Sequence, residues 1–393
     1  MKAKFAAPDV RDAVDPSDLD REVTHYAIPH LEEFGVPIVQ HSSEIESGKL
    51  LVKQGDVLIS KLNPRKSRVF KVGDHDVRPV IASGEFIVFR PRRCHPDFLA
   101  YLLQSDIVTG LLSASAKSVT RSHQRVDPAT VRNIELPDVS VEEQRRIAEF
   151  LDRETAQIDE LIAKQEQLIS TLAERERALL RHLIGEVSAH EPPAVLGLLA
   201  RVGNGSTPSR ERPEYWLDGG FPWLNSSVAN ADYVREPSDL VTDLALVECH
   251  LPLVAPGSTL VGLTGQGRTR GMATRLSIEA TISQHLAYVT PGRRLEPEFL
   301  YWVLVNEYET FRETSDGNGG TKGGLTCEAI RRTRVPVPPL DQQAQVASTL
   351  QSSADTARSV RQRIGRAIEL LSERRQALIS ATVTGQNEVG GAP

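Results

Sequence analysis

Two stretches of the chain repeat hydrophobic residues every 3.5 positions, which predicts two long amphipathic helices. The first stretch runs from Ile147 in alternating steps of four and three residues, and the second follows the same steps from Val346. A 3.5-residue period held over several heptads is typical of a coiled-coil seam. The predicted seam consists of Ile147, Leu151, Ile158, Leu161, Leu168, Leu172, Leu179, Val346, Leu350, Val360, Ile364, Leu371 and Leu378.

Local signals mark where these helices begin and end. Pro137 and Pro339 precede them, and Glu142 falls in a first turn, where the helix dipole favours negative charge. Gly185 and Gly385 stand where a C-terminal cap is expected. A helix of about 44 residues is about 66 Å long. Because neither helix can bury its seam alone, we expect the two to pack on each other.

The chain also repeats itself at an offset of 199 residues. Residues 131–137 align with 330–336, and the correspondence continues without a gap for about 50 residues into the long helices. Weaker echoes precede them: short apolar runs between Gly and Pro turns predict strands, followed by one amphipathic helix at about 96–112 and another at about 297–313. The layout is therefore a globular part and a long helix, twice over.

We divide the chain accordingly. The predicted parts are a first globular domain at 1–139, a long helix at 140–186, a linker at 187–195, a second globular domain at 196–338, a second long helix at 339–386, and a C-terminal tail at 387–393.

The two globular parts differ at their beginnings. Residues 196–202 read as the first strand of the second part, but at the offset of 199 their counterpart would begin before residue 1. Either the true start of the chain lies upstream, or another segment completes the first sheet. The sequence leaves both alternatives open.

Composition and charge narrow the class of protein. The 393 residues carry 46 Lys and Arg against 52 Asp and Glu, an ordinary balance for a globular protein. No apolar run reaches the ~18 residues of a membrane span, and the N-terminus lacks a signal-peptide pattern. Three widely spaced cysteines argue against a disulfide framework or a cysteine-based zinc site. We therefore expect a cytoplasmic protein that does not enter the membrane.

Charge is distributed unevenly along the chain. Residues 49–132 carry 15 Lys and Arg against 7 Asp and Glu, whereas residues 1–48 carry 4 against 10. A basic region in an acidic chain is typical of a phosphate-facing surface, although a solvated basic face is a common alternative. Arg, Asn and Gln can also bond base edges. Candidate contacts in this region are Lys61, Asn63, Arg65, Lys66, Arg68, Arg121, His123, Gln124 and Arg125.

The second globular part has a weaker signal. Residues 201–334 carry 14 Lys and Arg against 16 Asp and Glu, and the basic residues are grouped. A glycine-rich run at 317–324 would let the backbone approach a phosphate, or would simply be a flexible loop. The grouped candidates are Gln266, Arg268, Thr269, Arg270, Thr321 and Lys322.

Motifs for catalysis are weak. Residues 265–271 miss the GxGxxG spacing, and residues 319–322 lack the GK[ST] ending of a P-loop. The sequence has no HExxH and no clustered His and Cys with metal-ligand spacing. His123 beside Ser122 and Asp127 suggests a triad fragment, but triads are assembled in space rather than along the chain. We predict no catalytic residue and no metal site.

Taken with the repeat, several motifs resemble the specificity (S) subunit of type I restriction-modification systems. Each long helix opens with a similar run, LPDVSVEEQ at 136–144 and VPPLDQQ at 337–343. The second globular part opens with GSTPS at 205–209, and the first contains HYAIP at 25–29 and SKLNPR at 60–65, which are similar to one class of target recognition domain. The resemblance covers nearly the whole chain.

The resemblance implies a fold and a function. The implied fold class is α+β, with two globular α/β target recognition domains separated by two long helices that form an antiparallel coiled coil, in a pseudo-twofold internal repeat. Each domain would read one half of a split double-stranded DNA target, and helix length would set the spacing between the halves. The opening of the second domain adds Ser206, Thr207, Ser209 and Arg210 to the candidate DNA contacts.

The resemblance also implies partners. Methyltransferase subunits, two of them by the twofold repeat, would dock on the helices and carry S-adenosylmethionine, so that this chain holds no cofactor and catalyses nothing. Whether a restriction and translocase subunit joins them is open. The acidic helix at 138–187, with 12 acids against 7 bases, is either a docking face or a solvated exterior. The rival functions are a coiled-coil scaffold with two protein-binding heads and a self-sufficient DNA-modifying enzyme.

Overall fold

The structure is a computed structural model that describes residues 1–75, 77–118, 124–217, 220–265, 267–316 and 324–387. The chain forms two compact units. Unit 1 comprises Met1–Glu166 with Ile364–Pro393, and unit 2 comprises Gln167–Arg363. Each unit contains one globular part and a stretch of both long helices.

Unit 1 combines short strands with short helices. Its helices are α1 (Ala3–Ala6), α2 (Ile28–Phe34), α3 (Pro96–Gln104), α4 (Asp106–Ser115) and α5 (Pro128–Arg132), followed by the long α6 (Val141–His190), whose residues from 167 onwards belong to unit 2. Its strands are β1 (Asp9–Val10), β2 (Ala13–Val14), β3 (Glu22–Tyr26), β4 (Ile38–His41), β5 (Lys49–Leu51), β6 (Val57–Ser60), β7 (Val69–Lys71), β8 (Val80–Ser83), β9 (Phe86–Phe89), β10 (Lys117–Ser118) and β11 (Gln124–Arg125).

Two main sheets organise unit 1, one of four strands in the order β1-β9-β6-β7 and one of five in the order β2-β5-β8-β3-β4. Successive strand residues face opposite sides, so each strand can serve two cores. Ile59 packs with α3, α4 and the long helices, whereas its neighbour Leu58 packs with the second sheet and α2. The four-stranded sheet therefore lies between two hydrophobic cores.

Unit 2 repeats this plan. Its strands are β12 (Ala194–Val195), β13 (Ala200–Asn204), β14 (Phe221–Leu224), β15 (Tyr233–Val234), β16 (Asp239–Val241), β17 (Thr259–Gly262), β18 (Ala273–Leu276), β19 (Thr281–Ile282), β20 (Leu286–Pro291) and β21 (Arg334–Val335). Its helices are α7 (Asp243–Glu248), α8 (Pro297–Asn306), α9 (Tyr308–Asp316), α10 (Cys327–Arg332) and the long α11 (Leu340–Val383), whose residues from 364 onwards belong to unit 1.

The central sheet of unit 2 has five strands in the order β13-β20-β17-β18-β15, beside a three-stranded sheet β16-β14-β19. Val261 packs with α8 and the long helices, while Leu260 faces the other way into a second core. The alternation matches that of Ile59 and Leu58, so the internal repeat extends from the sequence to the packing.

The N-terminal residues supply the first strand of the four-stranded sheet in unit 1. β1 pairs antiparallel with β9, with Asp9 opposite Phe89, just as Val202 in β13 lies opposite Val289 in β20. The amide of Ala3 donates to the Ile134 carbonyl, the counterpart of a bond from Leu196 to Thr333. β1 therefore occupies the place of β13, and the N-terminal residues correspond to unit 2 with a shorter offset than the 199 of the helices.

Several predicted boundaries differ from those observed. Helix α6 continues to His190, so Gly185 lies inside it rather than at its end. Leu180, Ile184 and Val187 are buried in the core of unit 2, and this burial outweighs the ~1 kcal/mol that a helical glycine costs. Gly385, by contrast, has a φ of 76° just after α11, the left-handed conformation of a C-terminal cap.

The helices predicted at 96–112 and 297–313 are each broken in two. Ser105 ends α3 and caps α4, where its hydroxyl accepts a bond from the Val108 amide. Serine favours this role because its side chain satisfies an otherwise free amide. In unit 2 the break falls at Glu307, between α8 and α9. Among the described residues, no single helix is long and apolar enough to cross a membrane, although the bent pair α3–α4 would be by length and composition.

The long helices run antiparallel within each unit. In unit 1 Arg375 Nε donates to Asp159 Oδ1 at 2.8 Å, and Leu151 shares a core with Ile379. In unit 2 Arg361 pairs with Glu176. Of the predicted seam, Ile147, Leu151, Ile158, Val346, Leu350 and Ile364 are buried, and Leu172, Leu179, Val360, Leu371 and Leu378 are half-buried.

Two predicted seam residues were wrong. Leu161 and Leu168 are 47% and 43% exposed. The covered stripe of α6 instead passes through Ile162 and Ile169, each half-buried and one position further along. Both stripes keep the 3.5-residue period and share Leu151 and Ile158, so the period alone could not choose between them.

A buried glutamine fixes the start of each long helix to its globular part. Gln144 Oε1 accepts from the His95 amide at 2.9 Å, and its Nε2 donates to Val139 O at 3.1 Å. Gln343 Oε1 accepts from the Glu296 amide at 2.8 Å, and its Nε2 donates to two carbonyls. The glutamine that ends each of the two motifs that open the helices therefore ties the long helix to its globular part.

Candidate nucleic-acid interface

In unit 1 three segments meet at one end of the four-stranded sheet. The turn between β8 and β9 is hydrogen-bonded to the segment that follows β6, because the Lys61 amide donates to Glu85 O at 2.9 Å. The Val126 amide in turn donates to Lys61 O at 2.9 Å. We call residues 61–68, 83–86 and 124–126 loop cluster 1. It contains all the described candidate residues of the first globular part.

Unit 2 builds the same arrangement. The Leu263 amide donates to His285 O at 2.9 Å, and the Leu325 amide donates to Leu263 O at 2.9 Å. We call residues 204–210, 263–265, 267–271, 283–286 and 324–326 loop cluster 2. Because both bonds match those of Lys61 and Val126 position for position, the two clusters are equivalent sites of the internal repeat.

Lys61 and Asn63 are held by the fold of cluster 1. Lys61 Nζ donates to Gly84 O at 2.6 Å, and burial lowers the pKa of its ammonium group. Asn63 has a φ of 49°, a conformation that asparagine tolerates, and its amide donates to Gln124 O at 2.9 Å. These two residues shape the loop that carries the remaining basic side chains.

Arg65, Lys66 and Arg68 differ in how far they are engaged. Arg65 is exposed and contacts no described residue through a hydrogen bond or ion pair. Lys66 Nζ lies 3.7 Å from Glu32 Oε1, and Arg68 Nε donates to the same oxygen at 2.8 Å. Arg68 is thereby tied to α2, while Arg65 is available to an incoming anion.

The last described candidates of cluster 1 lie on β11. Arg125 is exposed and forms an ion pair with Glu85 on the turn. Gln124 is half-buried, and its side-chain oxygen has no hydrogen-bond partner among the described residues. Arg121 and His123 lie outside the described residues.

Cluster 2 begins with a loop clamped against β19. A Cβ on Gly205 would lie 1.6 Å from Ile282 O, so only glycine permits this approach. The amide of Ser206 donates to Ile282 O at 3.0 Å, and its carbonyl accepts from Trp223 Nε1 at 3.2 Å. Thr207 is thereby held over the 283–286 turn, where its hydroxyl donates to Gln284 Oε1.

The end of this loop carries an aromatic and charged group. The carbonyl of Ser209 accepts from Trp216 Nε1 at 3.1 Å. The Arg210 guanidinium lies 3.5 Å from the centre of the Trp216 ring and donates to Asp239 Oδ2 at 2.7 Å. This bond lowers the pKa of the Asp239 carboxyl. Arg210 is exposed but already neutralised by a carboxylate.

The two arginines in the second loop of cluster 2, at 267–271, differ in exposure to solvent. Arg268 is exposed, and its carbonyl accepts from the Tyr308 hydroxyl at 3.0 Å. Thr269 is half-buried, and Arg270 is buried, with 7% exposure. Gln266, Thr321 and Lys322 lie outside the described residues. Arg268 is the candidate in this loop that reaches solvent.

Both clusters thus present exposed side chains of the kind that bond phosphates and base edges, at matching places in a repeated fold. The family model of the type I restriction modification DNA specificity domain matches residues 22–171 and 196–369. The chain belongs to this specificity family. Each match covers most of one globular part and part of a long helix.

Individual relatives support this membership. The specificity subunit of the type I restriction enzyme EcoR124I/EcoR124II of Escherichia coli is 22% identical over 235 residues, which are 60% of this chain and 57% of that relative. The chain thus aligns with little more than half the length of that curated relative.

Two solved structures resemble the chain along almost its whole length. One, from a study of the complex assembly and conformational transition of the type I R-M system, gives a TM-score of 0.71 at 19% identity and covers 98% of this chain and 97% of that chain. The HsdS subunit from Thermoanaerobacter tengcongensis gives 0.55 at 19% identity, with 98% and 96% covered. The predicted fold class of two α/β parts separated by long helices is confirmed.

Three residues at the centre of loop clusters 1 and 2 were not predicted from the sequence. Glu85 binds Arg125, and Gln284 and His285 occupy the equivalent turn of unit 2. The repeat alignment places Ser83 over Ser283 and Phe86 over Leu286, so the residues between them could have been recognised as a variable position in a fixed frame. The described residues contain no group of three or more His, Cys, Asp or Glu placed to hold a metal ion.

Proposed function

We propose that the chain is the DNA-recognition subunit of a type I restriction-modification complex, in which each unit reads one half of a bipartite target. The observation that carries this proposal is the pair of equivalent loop clusters, fixed by the same backbone bonds in both units. A protein that recognises two half-sites needs two readers of the same build whose side chains differ. Lys61 and Glu85 in cluster 1 stand where cluster 2 has Leu263 and His285, so the two readers would prefer different bases.

The chemistry of the clusters suits DNA. Arg65 and Arg268 are exposed and free of carboxylate partners among the described residues, so phosphate contact would cost them no existing ion pair. Arg125 and Arg210 are exposed and each is held by a carboxylate, which limits the orientations of a guanidinium that could bond a base edge. We therefore assign positioning on the backbone to the first pair and base contact to the second.

We further propose that methyltransferase subunits dock on the long helices. Leu161 and Leu168 are one heptad apart and exposed, although most leucines of a helix bundle are covered. A partner helix would bury them. In this proposal the partners carry S-adenosylmethionine and the catalytic residues, this chain contributes recognition, and the complex works in the cytoplasm, where the DNA is.

The test is the methylated motif of a host that expresses the chain with its methyltransferase partner. One variant carries Arg65→Ala and Arg125→Ala, and a second carries Arg210→Ala and Arg268→Ala. We expect a split motif for the unchanged chain, altered in one half by the first variant and in the other half by the second. An assembled complex that methylates no motif would favour the protein-binding scaffold instead.

Partner docking is tested by co-purification. We expect Leu161→Glu with Leu168→Glu to reduce recovery of the methyltransferase, because two charges would be buried at the contact. Ser170→Glu, which adds a charge at another exposed position of α6, serves as the matched control. Equal recovery with all three chains would contradict docking at this stripe.

A further inference from the structure

The turn that joins β19 and β20 in unit 2 projects two polar side chains from a rigid frame. The Leu286 amide closes the turn on Ser283 O at 3.2 Å, and the Ser283 amide donates to Leu224 O at 2.9 Å. The Leu263 amide holds His285 O at 2.9 Å. All these bonds are made by the backbone, so the side chains of Gln284 and His285 are not needed to form the turn, and both are exposed.

These side chains nevertheless belong to a continuous chain of hydrogen bonds across three segments. The Thr207 hydroxyl donates to Gln284 Oε1, and Gln284 Nε2 lies 3.4 Å from His285 Nε2. His285 Nδ1 lies 2.9 Å from Thr264 Oγ1. With Gln284 as the donor, His285 carries its proton on Nδ1 and donates it to Thr264. The orientation of the Gln284 amide is therefore set from both sides.

The hydrogen bonds to Thr207 and His285 use only half of the bonding capacity of the Gln284 side-chain amide. A glutamine side chain offers two acceptor lone pairs on Oε1 and two hydrogens on Nε2. Thr207 takes one lone pair and His285 takes one hydrogen. One acceptor site on Oε1 and one hydrogen on Nε2 remain on this exposed amide. This is the pair that adenine requires, because its major-groove edge presents an N6 donor beside the N7 acceptor.

The equivalent turn of unit 1 is built differently. It carries Gly84 and Glu85 in place of Gln284 and His285, and Glu85 engages Arg125. The same frame therefore presents a guanidinium in one unit and an amide in the other. Different side chains on the same backbone frame are what a residue that determines specificity requires.

We propose that Gln284 reads an adenine in the half-site recognised by unit 2, and that Thr207 and His285 are positioning residues that orient its amide. This inference rests on the proposed DNA recognition. A side chain held in its binding orientation loses less entropy on binding than a free one, which is the contribution we assign to the two neighbours.

The experiment uses the complex of the full chain with its methyltransferase. Once the motif is known, duplexes with each A:T pair of the second half replaced in turn are compared in competition binding. We expect the unchanged complex to prefer one A:T pair by about 5-fold to 150-fold, the usual range for a bidentate base contact. With Gln284→Ala this preference should vanish at that pair alone, and the methylated motif should become degenerate there.

Two further variants test the positioning role. Thr207→Val removes the hydroxyl and should weaken the preference at the same pair, whereas Thr207→Ser keeps the hydroxyl and should restore it. Asn230→Ala, which removes an exposed amide outside the cluster, should leave the motif unchanged. A purely structural role for Thr207 would lower the unfolding temperature without changing preference at a single base pair.

The possible outcomes distinguish a failure of this inference from a failure of the proposed function. A split motif that Gln284→Ala leaves intact overturns the inference and keeps the proposed function. Loss of preference at a G:C pair, or spread evenly over both halves, also overturns it. If the assembled, unchanged complex has no motif at all, the proposed function fails and the inference fails with it.

Discussion

The buried glutamine at the start of α11 gives the sharpest test of how the chain holds together. Gln343 has no exposed surface and makes three hydrogen bonds, one from the Glu296 amide and two to the carbonyls of Arg294 and Pro338. Gln343→Ala removes all three and leaves the backbone groups without partners. A buried group left in this way costs about 1–3 kcal/mol and a half-buried one costs less, so for one buried and two half-buried bonds we expect a total loss of about 3 kcal/mol.

This loss should be local to unit 2. For a unit of roughly 200 residues, 3 kcal/mol corresponds to a fall of about 6–12 °C in unfolding temperature. Glu296 caps α8, since its side chain accepts from the Phe299 amide at 2.6 Å. Hydrogen exchange followed by mass spectrometry can therefore locate the change in the amides of α8. Peptides from α8 should lose protection, while peptides from α3 in unit 1 keep theirs.

Two variants control this result. Gln144→Ala removes the equivalent glutamine of unit 1, which makes two hydrogen bonds instead of three. It should lower the hydrogen-exchange protection of α3 by a smaller amount. Gln342→Ala changes the exposed neighbour and should alter stability by less than about 0.5 kcal/mol. A loss of less than about 1 kcal/mol in Gln343→Ala would contradict the stabilising role of these buried hydrogen bonds. An equal loss in Gln342→Ala would contradict it as well.

Three other changes have distinct expected results. Asp56→Ala leaves Arg90 without its buried partner and should cost about 3 kcal/mol in urea unfolding. Gly205→Ala forces the clamped loop of cluster 2 off β19 and should abolish discrimination in the second half-site in duplex binding. Burial lowers the pKa of His25 to about 4, so unfolding takes up a proton between pH 6.5 and about 4. The contribution of neutral His25 to the free energy of unfolding should therefore be fully present above pH 6.5. On acidification the free energy of unfolding should fall by at most about 1.4 kcal/mol per pH unit, and His25→Leu should remove this slope.

Each of these changes has its own check. Ser258 and Thr290 replace Asp56 and Arg90 in unit 2 with a hydroxyl pair at 2.8 Å, so Ser258→Ala should cost only about 1 kcal/mol. Equal costs for the ion pair and the hydroxyl pair would contradict the argument. Gly220→Ala, whose Cβ would meet nothing within 4 Å, should leave DNA binding unchanged. An acid slope that persists in His25→Leu would show that other groups cause it.

The fold could be predicted from the sequence where its signals were periodic or repeated. The 3.5-residue period gave both long helices, and the repeat gave two equivalent globular parts. The period could not choose between Leu161 and Ile162 as seam residues, because both stripes are apolar and only the packed structure selects one. Gly185 was misread as a cap because burial of the residues around it overrides the local preference of glycine.

The candidate site was predicted by residue type, and this had a clear limit. Basic loops drew attention to Arg65 and Arg125, but nothing in their spacing showed that Arg68 would be held by Glu32. Gln284 carries no charge and stands in no motif, so composition could not single it out. The repeat alignment could have marked its turn as a variable position, but the backbone bonds are what show that the two turns occupy the same place beside the other loops of each cluster.

The division of labour within these turns has a consequence for heredity. Since the turn at 283–286 is formed by backbone bonds, substitutions at Gln284 and His285 leave the frame in place. Under the proposed function, a lineage could therefore acquire a new DNA target through single codon changes in this turn, without altering the long helices. Under the proposed function, a changed reader also meets a host genome in which the newly recognised sites have not been methylated by earlier generations.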